Sequence, residues 1–253
     1  MDTKSVYERP TDFWQNRESW TVMGDWLGRE PALRMLNPQK GEQILDAGCG
    51  EGLLTQELSR AGAFVVGVDR SRTMLEKASM RPPVGPGSIA YFQSDFADYL
   101  PLTISFNAAF CVAALMHDSQ AECFNFFHNV AERLVHGGRF VISITHPYQY
   151  LPGSPTRDGR SKWTQYEPLD ENPQFEHSCR FVEHYVNIHG QVFDAEVWYH
   201  PENLFPRLLK EVGLEVVRTQ TTYVRPEHIA MSPLWAGSPW GHPAYYQILA
   251  VKP

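Results

Sequence analysis

The stretch ILDAGCGEG, residues 44–52, decides the fold of this chain. Its first residues belong to an apolar run typical of a buried strand, and glycines then fill every second position before a helical pattern begins at Leu53. Glycine lets the backbone turn sharply and lets a ligand approach it, while the first turn of the following helix offers free N–H groups. A strand, a glycine-rich turn and a helix in this order predict a cofactor site.

Apolar runs and helical patterns alternate around this turn, from residue 41 to residue 146. The predicted strands are residues 43–47, 63–68, 89–93, 106–114 and 140–144. The predicted helices are residues 53–61, residues 73–79, and a longer one that opens at the capping box of Ser119 and Glu122 and stops at Gly137-Gly138. Strands separated by helices predict βαβ units in a parallel, doubly wound sheet.

The pattern changes after residue 146. Five prolines between residues 147 and 180 fix too many φ angles for a regular element, so we expect irregular chain there. Residues 181–188 and 191–199 alternate in period 2 around His189-Gly190, which predicts an antiparallel hairpin. The remaining predicted elements are a helix over residues 204–212 and strands over residues 214–219 and 245–251.

Together these elements predict an α/β fold: a Rossmann-like, doubly wound, mainly parallel seven-stranded sheet with an antiparallel hairpin or lid inserted after strand five. A chain of 253 residues suits one large domain or two small ones, and the motifs favour a single domain over residues 1–253. Its predicted parts are an N-terminal helical cap (1–40), a cofactor-binding core (41–146), a substrate-lid insertion (147–200) and a C-terminal helix with strands (201–253).

Composition narrows the classes of function. Lys and Arg number 22 against 29 Asp and Glu, a formal net charge of −7, which leaves no electrostatic footprint for a nucleic acid. The four cysteines lie far apart without a C-x-x-C pair, and no run of about 18 apolar residues occurs. The histidines form no H-E-x-x-H pattern. We therefore expect a cytoplasmic monomer or homodimer without a metal site, a membrane span or a nucleic-acid partner.

Two aspartates flank the glycine turn. Asp46 closes the first strand, where a carboxylate repels a pyrophosphate yet can hold an ammonium group, and Leu53 stands where a dinucleotide fingerprint has its third glycine. Asp69 closes the next strand, 17 residues after Gly52, where one carboxylate can accept from both hydroxyls of a ribose. A purely structural alternative is a glycine turn whose two aspartates cap helices. A ligand with a cationic amino-acid end and a ribose end fits the pair better.

Four motifs within residues 44–147 carry a family resemblance. They are LDAGCGEG at 45–52, DRSRTML at 69–75, SDF at 94–96 and LVHGGRF at 134–140. This stretch resembles the class I S-adenosylmethionine-dependent methyltransferases, in the small-molecule branch similar to ubiquinone and sterol methylating enzymes, and it covers about 100 of the 253 residues. The resemblance implies S-adenosylmethionine as the cofactor and transfer of its methyl group to a small-molecule acceptor.

The motifs define a set of predicted cofactor-binding residues. Cys49, inside the turn, is also a small residue suited to packing beneath it. The resemblance implies that Asp95 meets the adenine amino group. The full predicted set is Asp46, Gly48, Cys49, Gly50, Gly52, Asp69, Arg70, Ser94, Asp95, Phe96 and Cys111.

Two histidines follow predicted strand ends, where open α/β sheets bind ligands. His117 comes after strand four and His146 after strand five. The resemblance implies an in-line displacement, in which orientation does most of the work and a general base helps when the acceptor must lose a proton. Both histidines are candidate bases, and for both the alternative is a structural role as a loop cap or carbonyl partner.

Aromatic residues crowd the segments outside the cofactor core. Aromatic rings on proline-rich loops are difficult to explain by core packing, because loops run over the surface. We interpret them as a lid over a mostly apolar, aromatic or cationic acceptor. The predicted acceptor-binding residues are Tyr7, Trp14, Trp20, Tyr148, Trp163, Tyr166 and Trp198.

Two other classes of function compete with methyl transfer. A nicotinamide-dependent oxidoreductase would use a similar sheet, although the turn that ends in Leu53 fits the nucleoside-sulfonium pattern better. A non-catalytic, cofactor-binding regulatory subunit would keep the fold without turnover, although Asp46, Asp69 and Asp95 are all present. The sequence leaves open whether the accepting atom is oxygen, nitrogen or carbon.

Overall fold

The computed structural model describes residues 24–95, 104–161, 164–186, 192–230 and 239–253. Its strands are Gln43–Ala47 (β1), Phe64–Asp69 (β2), Ser88–Gln93 (β3), Phe106–Val112 (β4), Leu134–Thr145 (β5), Thr164–Pro168 (β6), Cys179–Val186 (β7), Val192–Tyr199 (β8), Glu215–Tyr223 (β9) and Pro243–Val251 (β10). Its α-helices are Glu30–Leu36 (α1), Leu53–Arg60 (α2), Arg72–Ser79 (α3), Gln120–Arg133 (α4), Leu204–Glu211 (α5) and Pro226–Ala230 (α6). A π-helix, Gly24–Arg29, precedes α1, and 3-10 turns occupy Leu115–His117 and Pro147–Tyr150.

The main sheet has seven strands in the order β3-β2-β1-β4-β5-β10-β9. Strands β1 to β5 run parallel, and β10 runs antiparallel to both of its neighbours. The predicted mainly parallel, doubly wound sheet is confirmed. The chain winds outward from β1 to β3 and then restarts at β4, so β1 and β4 form the switch point beside which open α/β sheets bind ligands.

Two apolar layers cover the faces of the main sheet. On one face, phenylalanines of α4, β5 and α5 pack edge to face, with ring centroids of Phe127 and Phe205 5.4 Å apart. On the other face, α1 and α2 cover β1 and β4 with fully buried Leu36, Leu58 and Phe110. Burial on both faces explains why β4 reads as an almost continuous apolar run.

The predicted boundary between α4 and β5 is wrong. The helix opens at the predicted capping box, where Ser119 and Glu122 each bond the backbone of the other, but it ends at Arg133. The strand begins at Leu134 because that residue pairs with Phe106 of β4. Gly137, at φ +74°, is accommodated within the strand, and its N–H donates to the Lys252 carbonyl at 2.8 Å.

The insertion after β5 is a three-stranded antiparallel sheet in the order β6-β7-β8. The predicted hairpin is confirmed as β7 and β8, and its turn at His189-Gly190 lies outside the described residues. The expectation of wholly irregular chain over residues 147–180 is wrong, because β6 lies there. Pro168 is tolerated since it ends an edge strand, where no neighbour needs its missing N–H.

The inserted sheet packs its aromatic face towards the end of β5. Tyr150 stacks on Tyr166 with centroids 4.2 Å apart, and Phe181 and Tyr199 meet Tyr150 edge to face. The His200 ring, just after β8, lies 3.0 Å from the carbonyl of Asp118 beyond β4. These contacts hold the insertion over the carboxyl ends of β4 and β5.

Of the predicted N-terminal cap, residues 1–23 lie outside the described part. The π-helix crosses the sheet at β5, β9 and β10, where Ser143 donates to the Gly28 carbonyl and Thr222 and Gln247 donate to that of Leu27. This anchor places Arg29 at the edge where the parallel strands end. Among the described helices, none has the length and apolar character needed to cross a membrane.

Candidate active site

A cavity of about 370 Å³ opens between the switch point and the inserted sheet. We call its wall formed by the ends of β1 to β4 the cofactor half, and its wall formed by the insertion and the C-terminal segment the lid half. The cofactor half includes Asp46, Gly48, Gly50, Asp69, Asp95 and Ala113. The lid half includes Gln149, Thr156, Tyr166, Glu183, His242 and Tyr245.

The glycine turn has left-handed backbone at each of its three glycines, with φ +74° at Gly48, +52° at Gly50 and +78° at Gly52. A Cβ at Gly52 would overlap the Tyr91 hydroxyl, so glycine is required there for space as well as for conformation. A Cβ at Gly50 would meet no atom within 4 Å, so the backbone is open to the cavity. The predicted role of this turn as a close-approach site fits its geometry.

Asp46 lies at the cavity with 2 % of its surface exposed. The Thr55 hydroxyl donates to its Oδ2 at 2.6 Å. Burial and the Asp69 charge raise the pKa of Asp46 to about 7, against the lowering effects of Thr55 and Arg29. A buried carboxyl whose hydrogen-bond donors are the neutral hydroxyl and backbone N–H of Thr55 gains from a cationic ligand, because an ammonium group would offset the cost of its desolvation.

Asp69 is fixed by two backbone groups. Its Oδ2 accepts from the Gly50 N–H at 2.8 Å and its Oδ1 accepts from the Ser71 N–H at 2.9 Å. Each oxygen keeps lone pairs for a further donor, so the carboxylate can still accept from a diol. The bond to Gly50 is a second role, holding the glycine turn, that the sequence did not predict.

Arg29 is a cavity residue that sequence reasoning missed. It lies in the π-helix, outside every motif, and its charge lowers the pKa of Asp46. A guanidinium beside a buried carboxylate offers complementary groups for the two charged ends of an amino acid. No local pattern could have predicted this, because tertiary packing brings residue 29 to the turn.

The structure places some of the other predicted cofactor residues at the cavity and others away from it. Arg70 and Asp95 line the cavity, and Arg70 pairs with Asp118 at 3.2 Å. Cys49 lines it as a buried thiol whose pKa is raised by burial, in keeping with a packing role. Three predicted positions lie outside the cavity lining: Gly52 in the glycine turn, Ser94 just after β3 and Cys111 in the core. Phe96 lies outside the described residues.

Ala113, just beyond β4, has φ +54° in the wall of the cofactor half. An alanine in left-handed backbone costs about 1 kcal/mol or more, and such strain clusters at functional sites. Its N–H donates to the Ser143 carbonyl at 2.8 Å, which pins the strained residue to β5.

The two candidate bases differ in position. His117 lines the cavity, but burial and the nearby Arg70 lower its pKa to about 3, so it is uncharged at neutral pH and a weak base. His146 lies outside the lining, accepts from the Tyr148 N–H at 3.1 Å and packs against Tyr246. The geometry of His146 therefore fits the alternative of a structural role as a loop cap.

Among the predicted acceptor residues, the described structure brings Tyr166 to the cavity and leaves Tyr148 and Trp198 outside its lining. Trp198 lines a separate small cavity with Pro147 and His200. It faces away because side chains alternate along β8, where Val197 and Tyr199 point into the aromatic cluster. Four predicted residues lie outside the described part: Tyr7, Trp14, Trp20 and Trp163.

Glu183 is the most distinctive residue missed in the lid half. It is directly opposite Tyr166 across β6 and β7, and the Tyr166 hydroxyl donates to its Oε1 at 3.2 Å. Burial raises its pKa to about 7, against the lowering effect of the Tyr166 bond. The sequence did hold a signal, because Glu183 shares one strand face with buried Phe181 and Tyr185, and a carboxyl on an apolar face is unusual.

Gln149 and His242 form a second polar group in the lid half. The Gln149 amide nitrogen lies 3.0 Å from His242 Nδ1, and the Thr156 hydroxyl donates to the Gln149 amide oxygen at 2.9 Å. Within the described ranges, no three His, Cys, Asp or Glu side chains group together as metal ligands do.

Known proteins resemble the chain in sequence around this site. Residues 44–138, from β1 into β5, match a family model described as a methyltransferase domain. This part of the chain is therefore similar to a methyltransferase domain. The match includes the glycine turn, Asp46 and Asp69, and it ends before the inserted sheet begins.

The chain spans about half the length of the curated relatives that it matches. One is a mitochondrial ubiquinone biosynthesis O-methyltransferase of Schizosaccharomyces pombe, 30% identical over 47% of this chain and 49% of the relative. Another is the O-methyltransferase cnsE of Penicillium expansum, 34% identical over 56% of this chain and 53% of the relative.

Solved structures share the fold of the whole described chain. The PH0226 protein of Pyrococcus horikoshii gives a TM-score of 0.67 at 17% identity, covering 98% of this chain and 99% of that one. A putative S-adenosylmethionine-dependent methyltransferase of Listeria monocytogenes gives 0.62 at 22% identity, covering 92% and 99%. At these identities the likeness shows the fold alone, which is that of the class I methyltransferases.

Proposed function

We propose that this protein transfers a methyl group from S-adenosylmethionine to a small-molecule acceptor. The observation that carries the proposal is the pairing of Asp46 and Asp69 on either side of a glycine turn that a methyltransferase family model matches. A nicotinamide oxidoreductase is disfavoured, because a buried carboxyl at Asp46 suits an ammonium group and repels a pyrophosphate.

The residues present fit S-adenosylmethionine on two counts. Asp46 is a buried carboxyl whose environment calls for a cation, and the open backbone at Gly50 leaves room that a side chain would fill. Bound here, the cofactor supplies an electrophilic methyl carbon. Asp46 would hold its ammonium group, Arg29 its carboxylate and Asp69 its ribose hydroxyls, while Asp95 would face the adenine amino group.

The protein's own contribution to the reaction is orientation and exclusion of water. The turn and Asp69 are tied to each other by a backbone hydrogen bond, so the cofactor half is shaped before a ligand arrives. The inserted sheet then encloses the acceptor against that wall. The cavity volume of about 370 Å³, which the cofactor half and the lid half share, is in the range of small-molecule sites.

The relatives' names support an acceptor of this class. One of those relatives is named for O-methylation in ubiquinone biosynthesis, and ubiquinone is a small molecule. Their matches cover only about half of their own length, so they do not identify this protein's acceptor. Cytoplasmic location, a monomer or homodimer, and the absence of a nucleic-acid partner remain predictions.

Calorimetric titration with S-adenosylhomocysteine and with NAD⁺ tests the proposal. We expect binding of the former alone. The Asp69→Ala variant should lose about tenfold or more in affinity, because two hydrogen bonds to a charged group are worth about 1.5–3 kcal/mol each. Asp170→Ala, at an exposed position outside the cavity, is the matched control and should bind as the wild type does. Tight NAD⁺ binding, or equal affinities for all three proteins, would refute the proposal.

A further inference from the structure

The described lining of the cavity is strongly acidic. Its carboxyl groups are those of Asp46, Glu51, Asp69, Asp95, Asp118 and Glu183, and its guanidinium groups are those of Arg29 and Arg70. Asp118 is paired with Arg70, and Glu51 with Arg81 outside the lining. S-Adenosylmethionine has a net charge of about +1, its sulfonium and ammonium groups exceeding its carboxylate, and Asp46 and Asp69 already face its polar ends. Among the described residues, the Glu183 carboxyl has neither an ion-pair partner nor a proposed cofactor contact.

Glu183 lies in the lid half, where the cofactor residues do not reach. In the described chain it makes no salt bridge, and its hydrogen-bond partner is the neutral hydroxyl of Tyr166. The Tyr166 hydroxyl bonds the carboxyl, and Tyr166 and Tyr245 both line this wall, so the lid half presents aromatic surface. Glu183 is only partly exposed, and a carboxyl in such a setting without a countercharge is stabilised by either a proton or a cation.

A carboxyl that shares a cavity wall with tyrosine side chains has the chemistry to recognise an ammonium group. The carboxylate supplies the countercharge, and aromatic faces attract cations. An anionic acceptor would instead meet the excess of carboxyl groups and be repelled. A neutral alcohol would gain a hydrogen bond but no ion pair.

We propose that Glu183 and Tyr166 form the acceptor site, that the acceptor is a primary or secondary amine, and that Glu183 takes up the proton its ammonium group must lose. This inference rests on the proposed methyl transfer and names the acceptor class of that same cavity.

The proton and electron pairs balance within the cavity. An N–H bond of the ammonium group breaks, its electron pair stays on nitrogen, and the proton moves to the Glu183 carboxylate. The nitrogen lone pair forms the new N–C bond while the S–C bond breaks with its electrons going to sulfur. The positive charge passes from sulfur to the N-methylammonium product, and the proton leaves Glu183 for solvent on product release.

Burial prepares Glu183 for this role. A pKa of about 7 means that the carboxyl is substantially ionised at neutral pH yet holds a proton readily, as an effective general base requires. Two histidines, His117 and His242, also line the cavity, and His117 is a much weaker base because burial lowers its pKa to about 3.

Three probes of one size separate the acceptor classes: 2-phenylethylamine, 2-phenylethanol and phenylacetate. Each is titrated calorimetrically into the protein saturated with S-adenosylhomocysteine. We expect the amine to bind about tenfold tighter than the alcohol, and phenylacetate not to bind. Glu183→Gln should reduce amine affinity by about tenfold or more and leave alcohol affinity unchanged.

Glu167→Gln is the matched control, since Glu167 is on the adjacent strand β6 and its side chain is 72% exposed. It should bind the amine as the wild type does. Phenylacetate binding as tightly as the amine, equal amine affinity in Glu183→Gln, or no probe binding to the loaded protein would each overturn the inference. Failure to bind S-adenosylhomocysteine is a separate result that overturns the proposed function itself.

Tyr166→Phe provides a second variant with a readout in pH. It keeps the ring stacked on Tyr150 but removes the hydroxyl that lowers the pKa of Glu183. The pH at which amine affinity reaches half of its maximum on the acid side should therefore move upward. An unshifted pH profile, with thermal unfolding unchanged, would mean that Glu183 is not the group that titrates.

Discussion

The two halves of the cavity are built in different ways. In the cofactor half, backbone N–H groups of Gly50 and Ser71 fix the Asp69 carboxylate, and both donors lie within or next to a contiguous motif. In the lid half, side chains hold side chains: Tyr166 bonds Glu183, and Thr156 bonds Gln149. The cofactor half can therefore stay constant while residues of the lid half change, which suits one reaction used on many acceptors.

Gly52→Ala should break the cofactor half most severely. Its Cβ would overlap the Tyr91 hydroxyl and would stand at φ +78°, so we expect a loss of about 3 kcal/mol in unfolding free energy and loss of S-adenosylhomocysteine binding. Chemical denaturation and calorimetry measure both quantities.

Gly159→Ala, in the insertion, is the control for backbone strain alone. Gly159 has φ +69° but open space around its Cβ position, so its substitution should cost about 1 kcal/mol and leave cofactor binding intact. Equal losses in the two variants would mean that the close contact at Gly52 is not real.

The pH dependence of cofactor affinity should isolate Asp46. Its pKa of about 7 means that it is protonated in much of the ligand-free protein below neutral pH, whereas the ammonium group needs the carboxylate. Affinity for S-adenosylhomocysteine should therefore rise with pH, by up to about tenfold per unit below pH 7, and level off above it. Asp46→Asn should bind weakly and without this slope, and a slope that survives in it would assign the titration to another group.

The pH dependence of the unfolding free energy should distinguish Asp46 in the cofactor half from Glu183 in the lid half. For Asp46 and Glu183 the folded pKa is raised above the unfolded value, so each group binds its proton more tightly in the folded state. The stability this adds is present below about pH 4 and lost as pH rises through about 7, by about 4 kcal/mol for Asp46 and about 3 kcal/mol for Glu183, on a background from Asp118.

Saturating S-adenosylhomocysteine should remove the Asp46 share of that decline, because its ammonium group replaces the proton. The Glu183 share should persist and disappear in Glu183→Gln. Denaturation curves at several pH values, with and without the ligand, measure both shares. A decline that the ligand abolishes completely would mean that the ligand also changes the environment of Glu183.

The difference between the halves also explains what the sequence could predict. Asp46, Gly50 and Asp69 were predictable because strand, turn and carboxylate follow one another along the chain. Arg29 was not, since it reaches the turn only through packing of the π-helix on β5, β9 and β10.

In the inserted sheet, the parity of each strand decides which face a side chain occupies. Trp198 is large and aromatic but lies on the face opposite Val197 and Tyr199, away from the cavity. Glu183 occupies the apolar face of its strand, and that misplaced charge was the better signal for an acceptor site. The proline-rich residues before β7 concealed β6, because the rule against proline in strands does not hold at an edge.

The smallest predicted effect concerns Ala113, which lies where the cofactor half meets the lid half. Ala113 lies just after β4 and shortly before the 3-10 turn of Leu115–His117. Its backbone is left-handed, a conformation that glycine adopts without penalty. Ala113→Gly should therefore stabilise the protein by up to about 1 kcal/mol, in spite of the greater freedom of glycine in the unfolded chain. Asn37→Gly, at φ +50°, is the matched control and should gain less, because asparagine tolerates this conformation. Ala113→Gly could gain stability and keep its affinity for S-adenosylhomocysteine but bind the amine more weakly. That result would mean that the strained conformation of Ala113 serves acceptor binding rather than cofactor binding.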